Sequence, residues 1–335
     1  MTDRLRIGVL AVLTPFLLLS LAPPPAAGYL AHAGRQRKAG PIDPSGCECF
    51  VTDGPSAASF AQYKFFDFRD LPGAGTPAPL ADGNRSAAAP VTSAYFDSRE
   101  FASAWTVQSR AGGLPPDGRV LVANQYSRNN VYVAPNADAR PASRTYLALR
   151  TLRRGSFQSS AEVQSASAGY QHLSARVFAR VRGDPGAVAA MFTYRGAAAA
   201  ARVQEADLEV LTGDPATLVH YTNQPSQVGG VERPGATQNA TIPGPWAAWH
   251  VHRYDWTPGA STWYVDGRCV ASNNFQAPRD PANFLFNSWS NGGSWSGLMA
   301  DGGLSVMDIQ WVEFLYNNTA EPSRFSYCSK ACSVD

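Results

Sequence analysis

The stretch Val203-Gln204-Glu205-Ala206-Asp207-Leu208-Glu209-Val210-Leu211 carries three carboxylates at alternate positions, separated by Ala206 and Leu208. A β-strand has a side-chain period of two, so Glu205, Asp207 and Glu209 project from one face and the apolar residues from the other. On a helix, residues two apart do not face each other. Val203, Val210 and Leu211 add β-branched and aliphatic character that suits a strand. Three like charges on one strand face repel, and a purely structural sheet gains nothing by collecting them. Cleavage of a glycosidic bond needs such a set: one carboxylate attacks while another donates a proton. The other reading of an isolated E-x-D-x-E is a strand face turned to water.

The elements around this strand must hold it flat and open on one side. Strand candidates follow one another at short intervals: 130–133, 145–150, 160–164, 173–181, 187–194, 203–211, 217–222, 249–256, 261–265, 284–289 and 305–316. Gly183-Asp184-Pro185-Gly186, Gly213-Asp214-Pro215, Thr257-Pro258-Gly259 and Asp266-Gly267 separate several of them as turns. Gly112 to Gly118, with Pro115-Pro116-Asp117, reads as another turn, and Ala197 to Ala201 as a small-residue loop or a helical turn. This spacing predicts an all-β fold, a sandwich or jelly roll. Residues 34–90 read as an N-terminal extension with a cysteine pair and an exposed loop over 71–90, and residues 91–335 as one domain without internal repeats.

Of 335 residues, 11% are aromatic and only 16% charged, with a net charge of +2. No basic run is long enough to grip phosphates, which argues against a nucleic-acid partner. Arg4 and Arg6 precede an apolar run from Ile7 to Leu21. Small residues follow, with cleavage expected at Ala31-His32-Ala33 or Ala26-Ala27-Gly28. Residues 1–33 thus read as a secretory signal, and the protein as extracellular and free of the membrane after cleavage. The alternative is an uncleaved anchor, for which about fifteen apolar residues are short. The last residues, Cys332-Ser333-Val334-Asp335, lack the apolar tail of a glycolipid anchor. Cys47 and Cys49 near one end and Cys328 and Cys332 near the other suggest bridges between the two pairs, leaving Cys269 as a buried free thiol; sequence does not set the connectivity. Zinc is the other reading for two close pairs, but C-x-C and C-x-x-x-C lack the finger pattern. Asn84, Asn239 and Asn317 head N-x-S/T sequons.

Five ordered blocks raise the acid strand above an isolated motif. They are Val188-Ala189-Ala190-Met191-Phe192-Thr193-Tyr194-Arg195-Gly196, Glu205 to Glu209, Trp249-His250-Val251-His252-Arg253-Tyr254-Asp255-Trp256-Thr257-Pro258, Trp263-Tyr264-Val265-Asp266-Gly267 and Asn287-Ser288-Trp289-Ser290-Asn291-Gly292. In this order they resemble glycoside hydrolase family 16, in particular secreted fungal glucanases and bacterial lichenases, from about Phe157 to Tyr316. The resemblance implies a β-jelly-roll of two antiparallel sheets, the concave one forming a sugar-binding cleft. It also implies a retaining mechanism with Glu205 as nucleophile, Glu209 as general acid/base and Asp207 between them. Cα atoms four residues apart on a flat strand lie roughly 13 Å apart, so long glutamate side chains and strand curvature must bring the carboxyls together. Two departures stand out: Gln204 where lichenases usually carry Asp, and Ala206 where a larger aliphatic is common.

Pyranose rings stack their C–H faces on aromatics, so cleft aromatics are natural binding groups. Trp289 and Asn287 match family residues that contact sugar, and both alternate with Ser288. Glu162 resembles a substrate-binding acid, or is a surface carboxylate. Tyr194 and Tyr221 are candidate floor residues, with the buried core as the other reading, and Trp295 caps one end of the cleft or orders its loop. Trp256, Trp263 and Trp311 are assigned to the core. Of the histidines His32, His172, His220, His250 and His252, none forms a metal pair such as H-E-x-x-H. His250 and His252 share a strand face and read as structural. No cofactor is expected; family members can hold a structural calcium on the convex sheet, but nothing in the sequence identifies its ligands. The expectation is a secreted, monomeric endo-β-glucanase acting on β-1,3 or mixed β-1,3/1,4 glucan of cell walls. The alternatives are a wall-remodelling transglycosylase and a non-catalytic glucan-binding lectin.

Overall fold

The computed structural model describes residues 41–82, 89–112, 120–321 and 327–335. The expected signal segment, the first part of the 34–90 extension, the Asn84 sequon and most of the turn over 112–118 lie outside these residues.

Two sheets face each other across one core. The first runs in the order Trp105–Val107, Phe157–Ser165, Asn283–Trp289, Val188–Arg195, Gln204–Leu211, Leu218–Gln224 and Thr237–Thr241, every pairing antiparallel. The acid strand Gln204–Leu211 is therefore interior to its sheet, flanked by Val188–Arg195 and Leu218–Gln224. The second sheet runs Arg268–Asn273, Ala260–Val265, His250–Thr257, Tyr170–Gly183 and Leu304–Asn318. Thr145–Arg154 and Gln62–Asp67 then pair with the two halves of Leu304–Asn318. Gln62–Asp67, from the region read as an extension, is thus a strand of the main sandwich. The hairpin of Thr145–Arg154 with Phe157–Ser165 joins the sheets along one side. This is the expected jelly-roll sandwich.

Alternation explains the layering. Ala206, Leu208 and Val210 turn inward and are 0%, 3% and 2% exposed. Beneath them Tyr254, Trp256 and Trp263 are fully buried, Tyr254 stacking on Trp263 at 5.5 Å between ring centroids. Such bulk under the acid strand accounts for a residue as small as Ala206. Trp311 is also buried, but on the outer face of the second sheet, between Phe65 and Phe178. Asp266 and Gly267 both adopt positive φ, 50° and 77°, and close the two-residue hairpin between Ala260–Val265 and Arg268–Asn273.

Two stretches far apart in the sequence meet on the outer face of the second sheet. Cys49–Val51 pairs in parallel with Ala331–Ser333, and disulfides join Cys47 to Cys332 and Cys49 to Cys328. The cysteine pairs therefore bridge to each other as expected. Cys269 is free but half-buried rather than buried. Among the described residues no helix is long and apolar enough to cross a membrane.

Candidate active site

The antiparallel register fixes what stands beside each acid. Glu205 faces Tyr194 on one side and Gln224 on the other, Asp207 faces Phe192 and Thr222, and Glu209 faces Ala190 and His220. Two cavities flank the acid strand and share Glu205, Asp207, Glu209 and Trp289 as lining. One, of about 660 Å³, also takes in Arg110, Glu162, Tyr194 and Asn287. The other, of about 720 Å³, takes in His220, Gln224 and Trp295. The three acids thus sit at the waist of one two-lobed cleft.

Burial decides the electrostatics. It pushes the Glu205 carboxyl up to about 7, against a hydrogen bond from Asp207 that favours its ionised form; the charge of Glu162 adds to the rise. Asp207 is raised well above the usual carboxylate range, first by burial and then by the charges of Glu205 and Glu209. Gln224 Nε2 donates to Asp207 Oδ2 at 3.1 Å. Glu209 is pushed up to about 7 by burial, opposed by a hydrogen bond from the Trp295 indole. Three carboxylates this close cannot all ionise. The arrangement favours a protonated Asp207 that donates to Glu205, and both glutamates exchange protons near neutrality. One attacking carboxylate and one proton donor are the two groups a retaining glycosidase requires.

The structure sorts the expected sugar contacts. Asn287 and Trp289 line the cleft, and Asn287 Oδ1 is buried with no protein partner, as expected of a group aimed at a ligand hydroxyl. Tyr194 is 38% exposed on the cleft wall. Trp295 borders the second lobe, its ring edge-on to His220 at 5.0 Å. Glu162 lines the first lobe but is no surface carboxylate: it is buried, and Arg110 holds both its oxygens at 2.5 and 3.1 Å. Tyr221 is not a floor residue. It stands opposite Leu208 rather than an acid, is fully buried, and packs on Trp263 at 5.4 Å between ring centroids. Gln204 ends the strand outside the cleft chemistry, donating to Asp280 Oδ2 at 2.6 Å and accepting from the backbone N–H of Arg279 and Asp280.

Residues the sequence alone did not bring forward are Arg110, His220 and Gln224. His220 Nε2 lies 2.6 Å from Asp214 Oδ2. On the same strand Thr222 and Gln224 share its face, and a period of two would have grouped all three had the register to Glu209 been known. His250 Nδ1 lies 2.6 Å from Asp266 Oδ2, in keeping with a structural role. Among the described residues no group of three or more His, Cys, Asp or Glu side chains is arranged to hold a metal ion.

Comparison with known proteins agrees with this geometry. Residues 124–313, more than half of the chain, match the model for glycosyl hydrolases family 16. A beta-glucanase of Paenibacillus macerans is 29% identical over 136 residues, which cover 40% of this chain and 55% of that protein. The Bacillus licheniformis beta-glucanase is 28% identical over 131 residues, covering 38% and 52%. The chain thus spans about half the length of the curated relatives it matches. Among solved structures, a Bacillus licheniformis beta-glucanase superposes with a TM-score of 0.50 at 21% identity, covering 64% of this chain and 93% of that one. A beta-1,3-1,4-glucanase (lichenase) from a mouse hindgut metagenome gives 0.51 at 16% identity, covering 76% and 99%. These last two likenesses concern the fold. With its family model matched over the sheet that carries the acids, the chain belongs to glycosyl hydrolases family 16.

Proposed function

We propose that this protein is an endo-acting, retaining β-glucanase. Glu205 attacks the anomeric carbon, and Glu209 protonates the leaving oxygen and then activates the water that releases the sugar. Asp207 keeps its proton and orients Glu205. The observation that carries this reading is the placement of the acids at the waist of a cleft with a lobe on either side. A polymer lying across both lobes has its scissile bond over the acids, whereas a closed end would suit a terminal sugar. Polar groups without partners, such as Asn287 Oδ1, suit sugar hydroxyls. Family membership and the beta-glucanase relatives support β-glucan as the substrate class, with β-1,3 or mixed β-1,3/1,4 linkages as the first to try. The paired disulfides fit an oxidising, extracellular setting, with cell-wall glucan as the partner.

Reducing-sugar release from laminarin and lichenan tests the reading. Wild type should release sugar and Glu205→Gln should be at least 10³-fold slower; equal rates would remove the nucleophile. Adding oligosaccharide acceptors to the same assay separates hydrolysis from transfer, because a sugar hydroxyl then competes with water in the second step.

A further inference from the structure

One motif of the sequence stands inside the cleft without a part in its chemistry. Asn239, head of the sequon Asn239-Ala240-Thr241, lies on Thr237–Thr241, the last strand of the cleft sheet. It is directly opposite His220, which is itself directly opposite Glu209. Neighbouring strands lie about 4.8 Å apart, so Asn239 stands two strand spacings, roughly 10 Å, from the proton donor and on the same face. Asn239 lines the second lobe together with His220 and Trp295. Asn239 and Thr241 are both exposed. The Asn317 sequon differs: its Oδ1 accepts from Ala61 N at 2.9 Å and Asn318 is buried.

We propose that Asn239 is an N-glycosylation site and that its glycan lies along the rim of the second lobe, shortening the cleft at that end. In the modification, Asn239 Nδ2 bonds to the anomeric carbon of the N-acetylglucosamine of a lipid diphosphate-linked oligosaccharide. The anomeric C–O bond breaks, its electron pair leaves with the lipid diphosphate, and the amide gives up one proton to a base of the transferase. The modification requires passage through a compartment holding that donor, an oxidising setting in which the two disulfides also form. The bound glycan places hydrated sugar beside the exposed Trp295 ring, the position a long glucan needs. The consequence for glucan cleavage rests on the function proposed above; the modification itself does not.

The test uses the full chain secreted from a eukaryotic host. Peptide mass spectrometry before and after amidase release should show a glycan on Asn239; an unmodified Asn239 overturns the site. Thr241→Ala removes the sequon and keeps Asn239, and native trimming of wild type to one N-acetylglucosamine serves if that variant does not fold. Acrylamide quenching of Trp295, read as the difference between wild type and Trp295→Phe, should rise at least twofold when the glycan is trimmed. Unchanged quenching overturns the placement in the cleft, whether or not the protein cleaves glucan. KM for polymeric glucan should fall at least threefold on trimming while that for two- or three-sugar substrates changes less than 1.5-fold; a parallel change in both overturns the shortening. Failure to cleave any glucan, trimmed or not, tells against the proposed function and leaves the mass and quenching results to decide the site.

Discussion

Asp207 is a carboxyl pressed between two others, and each of the three is raised first by its own burial. Glu205, Asp207 and Glu209 all bind protons more tightly folded than unfolded. The fold is therefore unaffected by them below about pH 4 and loses stability as pH rises through about 7. Glu209→Gln should raise the unfolding free energy at pH 8 by on the order of 1–3 kcal/mol and leave it unchanged at pH 4, as thermal melts at the two pH values would show. Trp295 acts on the same group in the opposite sense. Its indole N–H favours ionised Glu209, so Trp295→Phe should raise the Glu209 pKa. The alkaline limb of the kcat/KM profile, set by loss of the donor's proton, should move upward; a limb that stays in place would remove Trp295 from that role.

At the level of the strand, parity separates function from packing. Tyr194 and Tyr221 look alike in the sequence, yet one faces the cleft and the other Trp263. Tyr221→Ala should cost about 3–5 kcal/mol, as a large buried aromatic does, with kcat/KM of the folded fraction near wild type. Tyr194→Ala should leave the stability read from urea unfolding within about 0.5 kcal/mol of wild type and weaken glucan binding. The acid strand and the Asp266-Gly267 hairpin were legible in the sequence because period-two alternation and turn chemistry are local. Pairing across strands is not local. Arg110 meets Glu162 across 52 residues, and a one-residue slip would have exchanged Tyr221 for Thr222. Thr237–Thr241 went unseen as a strand because an exposed T-Q-N-A-T offers no apolar alternation. The role proposed for each glutamate rests on the five family blocks, since spacing alone leaves it open.

Across the whole molecule, the seam between Cys49–Val51 and Ala331–Ser333 braces the back of the sheet opposite the cleft. Asp335 accepts from Arg176 at 2.6 Å, from Arg253 at 3.1 Å and from the Asp53 amide at 2.7 Å. Burial alone would raise the Asp335 carboxyl, but the two guanidiniums outweigh it and hold it below its ordinary value. The bridges Cys47–Cys332 and Cys49–Cys328 span 285 and 279 residues and close nearly the same loop. Either one removes most of the unfolded chain's freedom. Cys332→Ser alone should cost about 1 kcal/mol, and Cys328→Ser with Cys332→Ser about 4–5 kcal/mol, read from denaturant midpoints of single and double variants. At the edge strand Arg268–Asn273, Gln238 imitates a missing strand: its Nε2 donates to Ser272 O at 2.8 Å and its Oε1 accepts from Ser272 N at 3.2 Å. One amide side chain thus occupies backbone groups that another molecule could otherwise pair with. Gln238→Ala would reopen that border, and the first sign of its loss would be turbidity on concentrating the protein.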